Sequence, residues 1–351
     1  MAKVKAPVEF RNVSKRYGAV TAVDDVSFRI PAGTLVTLLG PSGCGKTTTL
    51  RLIAGLEMAS AGRIFIGDED VTALSAAERD VSMVFQSYAL FPHMSVLENV
   101  AYGPSVQGLK KADAEAMAAE KIRLVGLSGL EKRAPSELSG GQQQRVAVAR
   151  ALVLEPKVLL FDEPLSNLDA KLRRRVRDDI RQLQTDLALT VAYVTHDQEE
   201  ALAVSDEIIV MSNAKIAQIG SPHALYEEPS NLFVADFIGD ANIIDATLMA
   251  CDGRLGTIQL GEMLLTLPHR GAQPGTIKIA ARPDALTLSK DGEGLPGTVT
   301  KSSYLGKVRE YTVKTALGDL FITAPGRSDA FPPQSHVVVR FANSGIVVLP
   351  H

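Results

Sequence analysis

The sequence predicts an α/β domain built on a mostly parallel sheet with an added antiparallel β layer, followed by an all-β domain. Three observations carry this. Short apolar runs alternate with helical segments over the first two thirds of the chain. One of these runs, Leu35–Leu39, enters the turn Gly40-Pro41-Ser42-Gly43-Cys44-Gly45 and leaves it as Lys46-Thr47-Thr48 on a helix. Beyond Ser221 the text changes to short strands broken by Gly and Pro.

In chain order, Val8–Val13 and Val23–Ile30 read as strands joined through Ser14–Gly18, and they form the antiparallel layer. Tyr17 precedes the turn glycine, where an exposed aromatic can stack on a purine or simply pack. After Leu39, the glycines let successive backbone N–H groups face one concavity, toward which the next helix directs the positive end of its dipole. That is a cradle for a triphosphate, with Lys46 reaching the β- and γ-phosphates and the Thr47 hydroxyl able to ligate Mg²⁺. The helix from Thr47 closes at Gly55, and Gly62–Gly67 is a strand and turn.

Val81–Phe85 is a short apolar strand whose carboxyl end offers Gln86 to Mg²⁺ or to an attacking water. The stretch from Ala89 to Glu98 is apolar and punctuated by Pro92, so it needs cover from its own domain or from another protein. A helix follows over Lys110–Val125. Leu138-Ser139-Gly140-Gly141-Gln142 then opens a helix running from about Gln142 to Leu154. Ser139 has capping chemistry, and two glycines at a helix start admit an anion. One phosphate loop holds one triphosphate, so this second start either serves the same nucleotide or is structural.

Lys157–Phe161 is another buried strand, ending in Asp162-Glu163. Asp162 at the strand end is placed to hold Mg²⁺ through water, and Glu163 to polarise a lytic water. A turn, Pro164–Asp169, leads to the basic helix Lys171–Leu187, on which Arg174 with Asp178, and Arg175 with Asp179, have ion-pair spacing. The strand Thr190–Thr195 ends at His196, an imidazole able to donate to a γ-phosphate, and the helix Gln198–Val204 and the strand Glu207–Met211 complete the domain.

The net charge of −3 gives no global basic field for nucleic acid. Two cysteines, Cys44 and Cys251, have no metal-motif spacing and suit a reducing compartment. The opening MAKVKAPVEF lacks the apolar core of a secretory signal, and no eighteen apolar residues run together, so membrane association is expected through a partner.

Taken together, Gly40–Thr47, Gln86, Leu138–Gln142, Val158–Glu163, Ser166–Asp169 and His196 occur in the order found in ATP-binding-cassette ATPases, a resemblance covering roughly the first 235 residues. It implies that the domain is a P-loop ABC ATPase with a helical subdomain over about 87–155, spanning 1–237. It further implies two copies head to tail with two ATPs between them. Ser139, Gly140, Gly141 and Gln142 would close on the γ-phosphate held by the opposite subunit, and Asp169 would lie at the subunit contact. By the same resemblance Tyr17 stacks on adenine, Gln86 is the sensor, Glu163 the catalytic base and His196 the switch histidine. Asn167 stands where Ala is commoner, a tolerated change. The segment Gln86–Asn99 resembles the surface that receives the coupling helices of membrane permease subunits.

The region 238–351, with Arg282–Ser289, resembles the OB-like (TOBE) regulatory domain of solute-import ATPases. Within importers, the segments 79–100, 193–206 and 237–244 are most similar to ferric-iron import ATPases, while polyamine, phosphonate and sugar importers share much of that text. The implied setting is the cytoplasmic face of a bacterial inner membrane, with a solute-binding protein as an indirect partner and nucleic acid not among the partners. His223, His269 and His336 lack ligand spacing and are read as surface residues. Two other classes are weighed against this: a soluble non-transport cassette protein would carry tandem cassettes or a basic insertion, and a P-loop kinase would lack the Leu138–Gln142 motif.

Overall fold

The computed structural model describes residues 5–342 and 344–349, so the first four residues of the opening MAKVKAPVEF lie outside it. By its internal contacts the chain divides into two compact units, Met1–Pro222 and His223–His351.

The first unit begins with β1 (Val8–Tyr17) and β2 (Val20–Ile30), then β3 (Leu35–Leu39), α1 (Lys46–Ala54), β4 (Ala61–Ile66) and the two-residue β5 (Glu69–Asp70). It continues through β6 (Val81–Val84), α2 (Val96–Val106), α3 (Lys111–Leu124), α4 (Gly140–Leu152), β7 (Val158–Asp162) and α5 (Ala170–Asp186). β8 (Thr190–Val194), α6 (Gln198–Val204), β9 (Glu207–Ser212) and β10 (Lys215–Gly220) complete it, and α7 (Pro222–Glu227) follows at the division. One sheet has the order β10-β9-β3-β8-β7-β6, parallel except for β10. The other is antiparallel, β2-β1-β4-β5.

Every residue of β3 and β8 is buried, which is why those strands read as unbroken apolar runs: the parallel sheet is covered on both faces. On one face Val36, Leu38, Leu160 and Val194 pack with α1 and with Phe10, Phe28 and Ile64 of the antiparallel layer. On the other, Leu35, Leu159, Phe161 and Tyr193 meet Val148 and Leu152 of α4 and Val176 and Ile180 of α5. A separate cluster, with Val96, Val100, Ala118, Ile122, Val146 and Ala149, holds α2, α3 and α4 together.

The ion pairs expected along α5 do not form as spaced. Asp179 meets Arg145 of α4 at 2.5 Å, and Asp178 meets its neighbour Arg177 at 3.2 Å. An i,i+4 offset puts the groups within reach, but a less exposed cation, Arg145 of another helix for Asp179 and the adjacent Arg177 for Asp178, takes the carboxylate.

The second unit contains α8 (Leu232–Phe237) and ten strands: β11 (Asn242–Asp252), β12 (Leu255–Leu260), β13 (Met263–Pro268), β14 (Gly275–Ala281), β15 (Leu286–Ser289), β16 (Leu295–Tyr304), β17 (Val308–Thr315), β18 (Gly318–Pro325), β19 (His336–Phe341) and β20 (Ile346–Leu349). They form two antiparallel five-stranded sheets, β13-β12-β11-β14-β20 and β15-β19-β16-β17-β18. Their inner faces share one core that includes Ile244, Ile258, Ile279, Val299, Tyr311, Ile322 and Val339.

Within this unit Arg282 bonds the segment that precedes β11. Arg282 is 3 % exposed, and its guanidinium donates to the Ala235 carbonyl at 3.0 Å, to that of Tyr226 at 3.1 Å, and also to that of Ile238. It also lies 4.2 Å from the Tyr226 ring centre. Replacing Arg282 by Met would leave three buried carbonyls without their donor, so Arg282→Met is expected to cost about 3–5 kcal/mol. Denaturant unfolding of the full chain checks this: an unshifted midpoint for the second unit would show that the carbonyls find other donors.

Candidate functional site

The site forms where the carboxyl ends of β3, β6, β7 and β8 meet the start of α1, the place where an open parallel sheet binds ligands. Its floor is the loop 40–45. A Cβ on Gly40 would stand 2.2 Å from the Met211 carbonyl oxygen, and one on Gly45 would stand 2.3 Å from that of Ala22. The glycines are therefore required by close backbone approach as well as by backbone conformation. Cys44 is 3 % exposed within this loop. Lys46, the first residue of α1, is 6 % exposed and donates from Nζ to the Gly40 and Pro41 carbonyls, each at 2.8 Å. Thr47 Oγ1 lies 3.4 Å from Asp162 Oδ1 at the end of β7. Burial raises the Asp162 carboxyl above its usual range, and Glu163 adds to this, while Arg51 and the Thr47 hydroxyl oppose it.

Glu163 follows with a φ of 46°, uncommon for a residue with a side chain, and its N–H is fixed on the Val194 carbonyl of β8 at 3.0 Å. Its Oε2 is 3.1 Å from His196 Nδ1. Two residues that the sequence could relate only by strand order are thus side by side.

Gln86 donates to Ser166 Oγ at 3.2 Å, so its amide engages the Ser166–Asp169 turn rather than Thr47 or Asp162. Asn167 Nδ2 donates to the Gln86 carbonyl at 3.0 Å, a bond that an Ala in its place cannot make. Tyr17 closes β1 and is 44 % exposed, with Lys15 Nζ 4.7 Å from its ring centre. Burial raises its hydroxyl, as does a hydrogen bond to Glu57, while a bond with Thr48 opposes the shift and links Tyr17 to α1.

Ser139 caps α4: its hydroxyl accepts from Gln142 N at 3.4 Å, and Gln142 Oε1 accepts from Ser139 N at 2.9 Å. A Cβ on Gly141 would stand 2.8 Å from Leu172 Cδ1, so this glycine also allows α4 to approach α5. Within one chain these contacts run to α5 and the 166–169 turn. Asp169 caps α5, accepting from Lys171 N and Leu172 N at 3.1 and 3.0 Å.

Sequence reasoning overlooked Arg79, Arg173, Tyr193 and Glu200. Arg79 donates to the Ile53 carbonyl at 2.9 Å and so satisfies the end of α1. Arg173 bridges Asp197 Oδ2 and the Leu168 carbonyl, both at 3.2 Å. Burial pushes the Tyr193 hydroxyl well up, so it keeps its proton and donates to Glu200. A signal for Glu200 exists, since Asp197-x-x-Glu200 reads as a capping box. The Glu200 side chain points back to β8 instead.

Two family models match the chain, "ABC transporter" over residues 23–166 and "TOBE domain" over 279–349. The chain is 57 % identical over 343 residues to Fe(3+) ions import ATP-binding protein FbpC 1 of Rhizobium meliloti, covering 97 % of each. The corresponding protein of Agrobacterium fabrum gives the same identity and coverage. That of Escherichia coli is 53 % identical over 309 residues, 88 % of this chain and 87 % of that protein. Among solved structures, a bacterial ABC transporter cassette solved as a dimer matches with a TM-score of 0.55 and 29 % identity, over 61 % of this chain and 98 % of that one. The same cassette in a post-hydrolysis state bound to ADP and Pi matches at 30 % identity and the same TM-score. The chain belongs to the ABC transporter family, as an ATP-binding ATPase cassette followed by a TOBE domain.

Proposed function

We propose that this chain is the ATP-hydrolysing subunit of a membrane importer whose cargo is ferric iron. The observation that carries the reading is the 57 % identity over 97 % of the length to Fe(3+) import ATP-binding proteins, which extends through both units. Among the described residues no helix is long and apolar enough to cross a membrane, so the reading assigns the solute pathway to separate permease chains fed by a solute-binding protein. Within Gln86–Asn99 the chain's own core covers Tyr88 and Val96, while Phe85 and Tyr102, which flank the segment, stay exposed; this flanked surface is the one the reading offers to them.

In this reading two copies face head to tail, with Tyr17 against each adenine and Ser139–Gln142 of one copy closing on the γ-phosphate at the other; that the solved cassette relative is dimeric supports a pair. Asp169 lies at that seam. Lys46 leaves the Gly40 and Pro41 carbonyls for the β- and γ-phosphates, and the loop N–H groups take the remaining phosphate oxygens. Thr47 on α1 and Asp162 at the end of β7 are hard oxygen donors 3.4 Å apart and fit Mg²⁺, which prefers few protein ligands beside phosphate and water. That ion would supply charge neutralisation at the transferring phosphoryl group. Glu163 takes the proton of the attacking water, and His196, held against it, donates to the γ-phosphate. Gln86, tied to the 166–169 turn, carries the state of the site to the permease surface.

Vesicles reconstituted with this chain, its permease and ATP are expected to accumulate labelled ferric ion when the cognate binding protein is present. Accumulation of a polyamine, phosphonate or sugar in place of iron would move the cargo assignment. Phosphate release without any uptake would favour a cassette outside transport.

A further inference from the structure

We propose that Glu200 is a positioning residue for hydrolysis: through the Tyr193 and Thr195 hydroxyls and Asp197 it fixes the turn that aims His196 at Glu163. The proposal rests on the reading of His196 given above.

Glu200 is 5 % exposed, yet among the described residues no cation forms an ion pair with its carboxylate, Arg173 acting on it only at longer range. A buried carboxylate without a direct counter-charge is costly, and a leucine would fill the space more cheaply. What the carboxylate gains is two hydroxyl donors, Tyr193 on one oxygen and Thr195 Oγ1 at 3.3 Å on the other. Both lie on the strand and turn that lead into His196. Thr195 Oγ1 in turn accepts from Asp197 N at 3.0 Å, and Asp197 Oδ1 accepts from Glu200 N at 3.0 Å, so the ring of bonds closes around the histidine. Asp197 Oδ2 faces Arg173, which also holds the Leu168 carbonyl, so the same network reaches the 166–169 turn that bonds Gln86. Each residue flanking His196 is therefore tied down by side-chain bonds. The imidazole itself is 60 % exposed, and its Nδ1 meets Glu163 Oε2 at 3.1 Å.

An amide at position 200 preserves volume but offers one acceptor oxygen in place of two. With that oxygen on Tyr193, the Thr195 hydroxyl would lose the acceptor for its own proton, and the bond tying the turn to α6 would have to reverse or break. The test is a double-mutant cycle on the full chain with Glu200→Gln, His196→Ala and both together, reading ATP affinity and kcat. Glu200→Gln is expected to hold ATP affinity within about twofold and to lower kcat on the order of tenfold, since small misplacements of a reacting group carry losses of that size. The double variant should be no slower than His196→Ala alone. Losses that simply multiply, or a Glu200→Gln enzyme with normal kcat, overturn the proposal. If His196→Ala itself turns over normally, the reading of His196 falls first and the proposal with it, an outcome recognisable from that single variant. Should Glu200→Gln fail to fold, Tyr193→Phe enters the same cycle, because it removes one hydroxyl and leaves the ring packed 5.6 Å from Phe161.

Discussion

Glu163→Gln is expected to reduce ATP turnover by about a thousandfold while ATP still binds, within the range typical for loss of a general base. The amide is the same shape as the carboxylate, the backbone N–H of residue 163 stays on the Val194 carbonyl, and His196 keeps a polar partner. Only the ability to take a proton from water is lost. The phosphate-facing groups are untouched, since Lys46 and the loop N–H groups belong to other elements. Because hydrolysis is what reopens the proposed pair, the variant should elute as a dimer in the presence of ATP, where the parent chain turns over and separates. Steady-state phosphate release and size-exclusion chromatography with and without ATP measure the two effects. Normal turnover in the variant would remove Glu163 from the role of base.

The difference between what was legible in the sequence and what was not follows from the range of the interactions. β3 and the 40–47 loop are legible because both depend on neighbours in the chain: five buried residues in a row, then glycines where the backbone must approach Met211 and Ala22. Tyr193 and Glu200 are seven residues apart and belong to different elements, so their bond becomes visible only when α6 folds back on β8. Asn167 looked like a neutral exchange because its partner, the Gln86 carbonyl, is 81 residues away. In the second unit β16 is hard to read from sequence: it lies inside its sheet, yet of its ten residues only Leu295 and Val299 are buried, and Pro296 and Gly297 interrupt the alternation that marks a strand. The same range effect redirected Asp179 from Arg175 to Arg145.

Lys46→Ala is expected to weaken ATP binding on the order of a hundredfold, about 3 kcal/mol. Two charges about 3 Å apart at an effective dielectric near 20 attract by roughly 5 kcal/mol, and part of this is offset because Lys46 must first give up its own bonds. Those bonds are real: Lys46 as a residue is 6 % exposed, and its ammonium sits 2.8 Å from both the Gly40 and Pro41 carbonyls. The cation is therefore already dehydrated and aimed into the loop before any nucleotide arrives, so binding exchanges carbonyl partners for phosphate oxygens without a fresh desolvation cost. Loss of Lys46 also leaves those two carbonyls without their donor, which predicts a loop that is less ordered as well as less positive. The two contributions separate experimentally. Equilibrium titration with ATP and with ADP should show a larger loss for ATP if charge at the γ-phosphate dominates, and equal losses if disorder of the loop dominates. Unchanged affinity for both nucleotides would mean that the N–H groups and the α1 dipole hold the phosphates unaided, and the assignment of Lys46 would then be wrong.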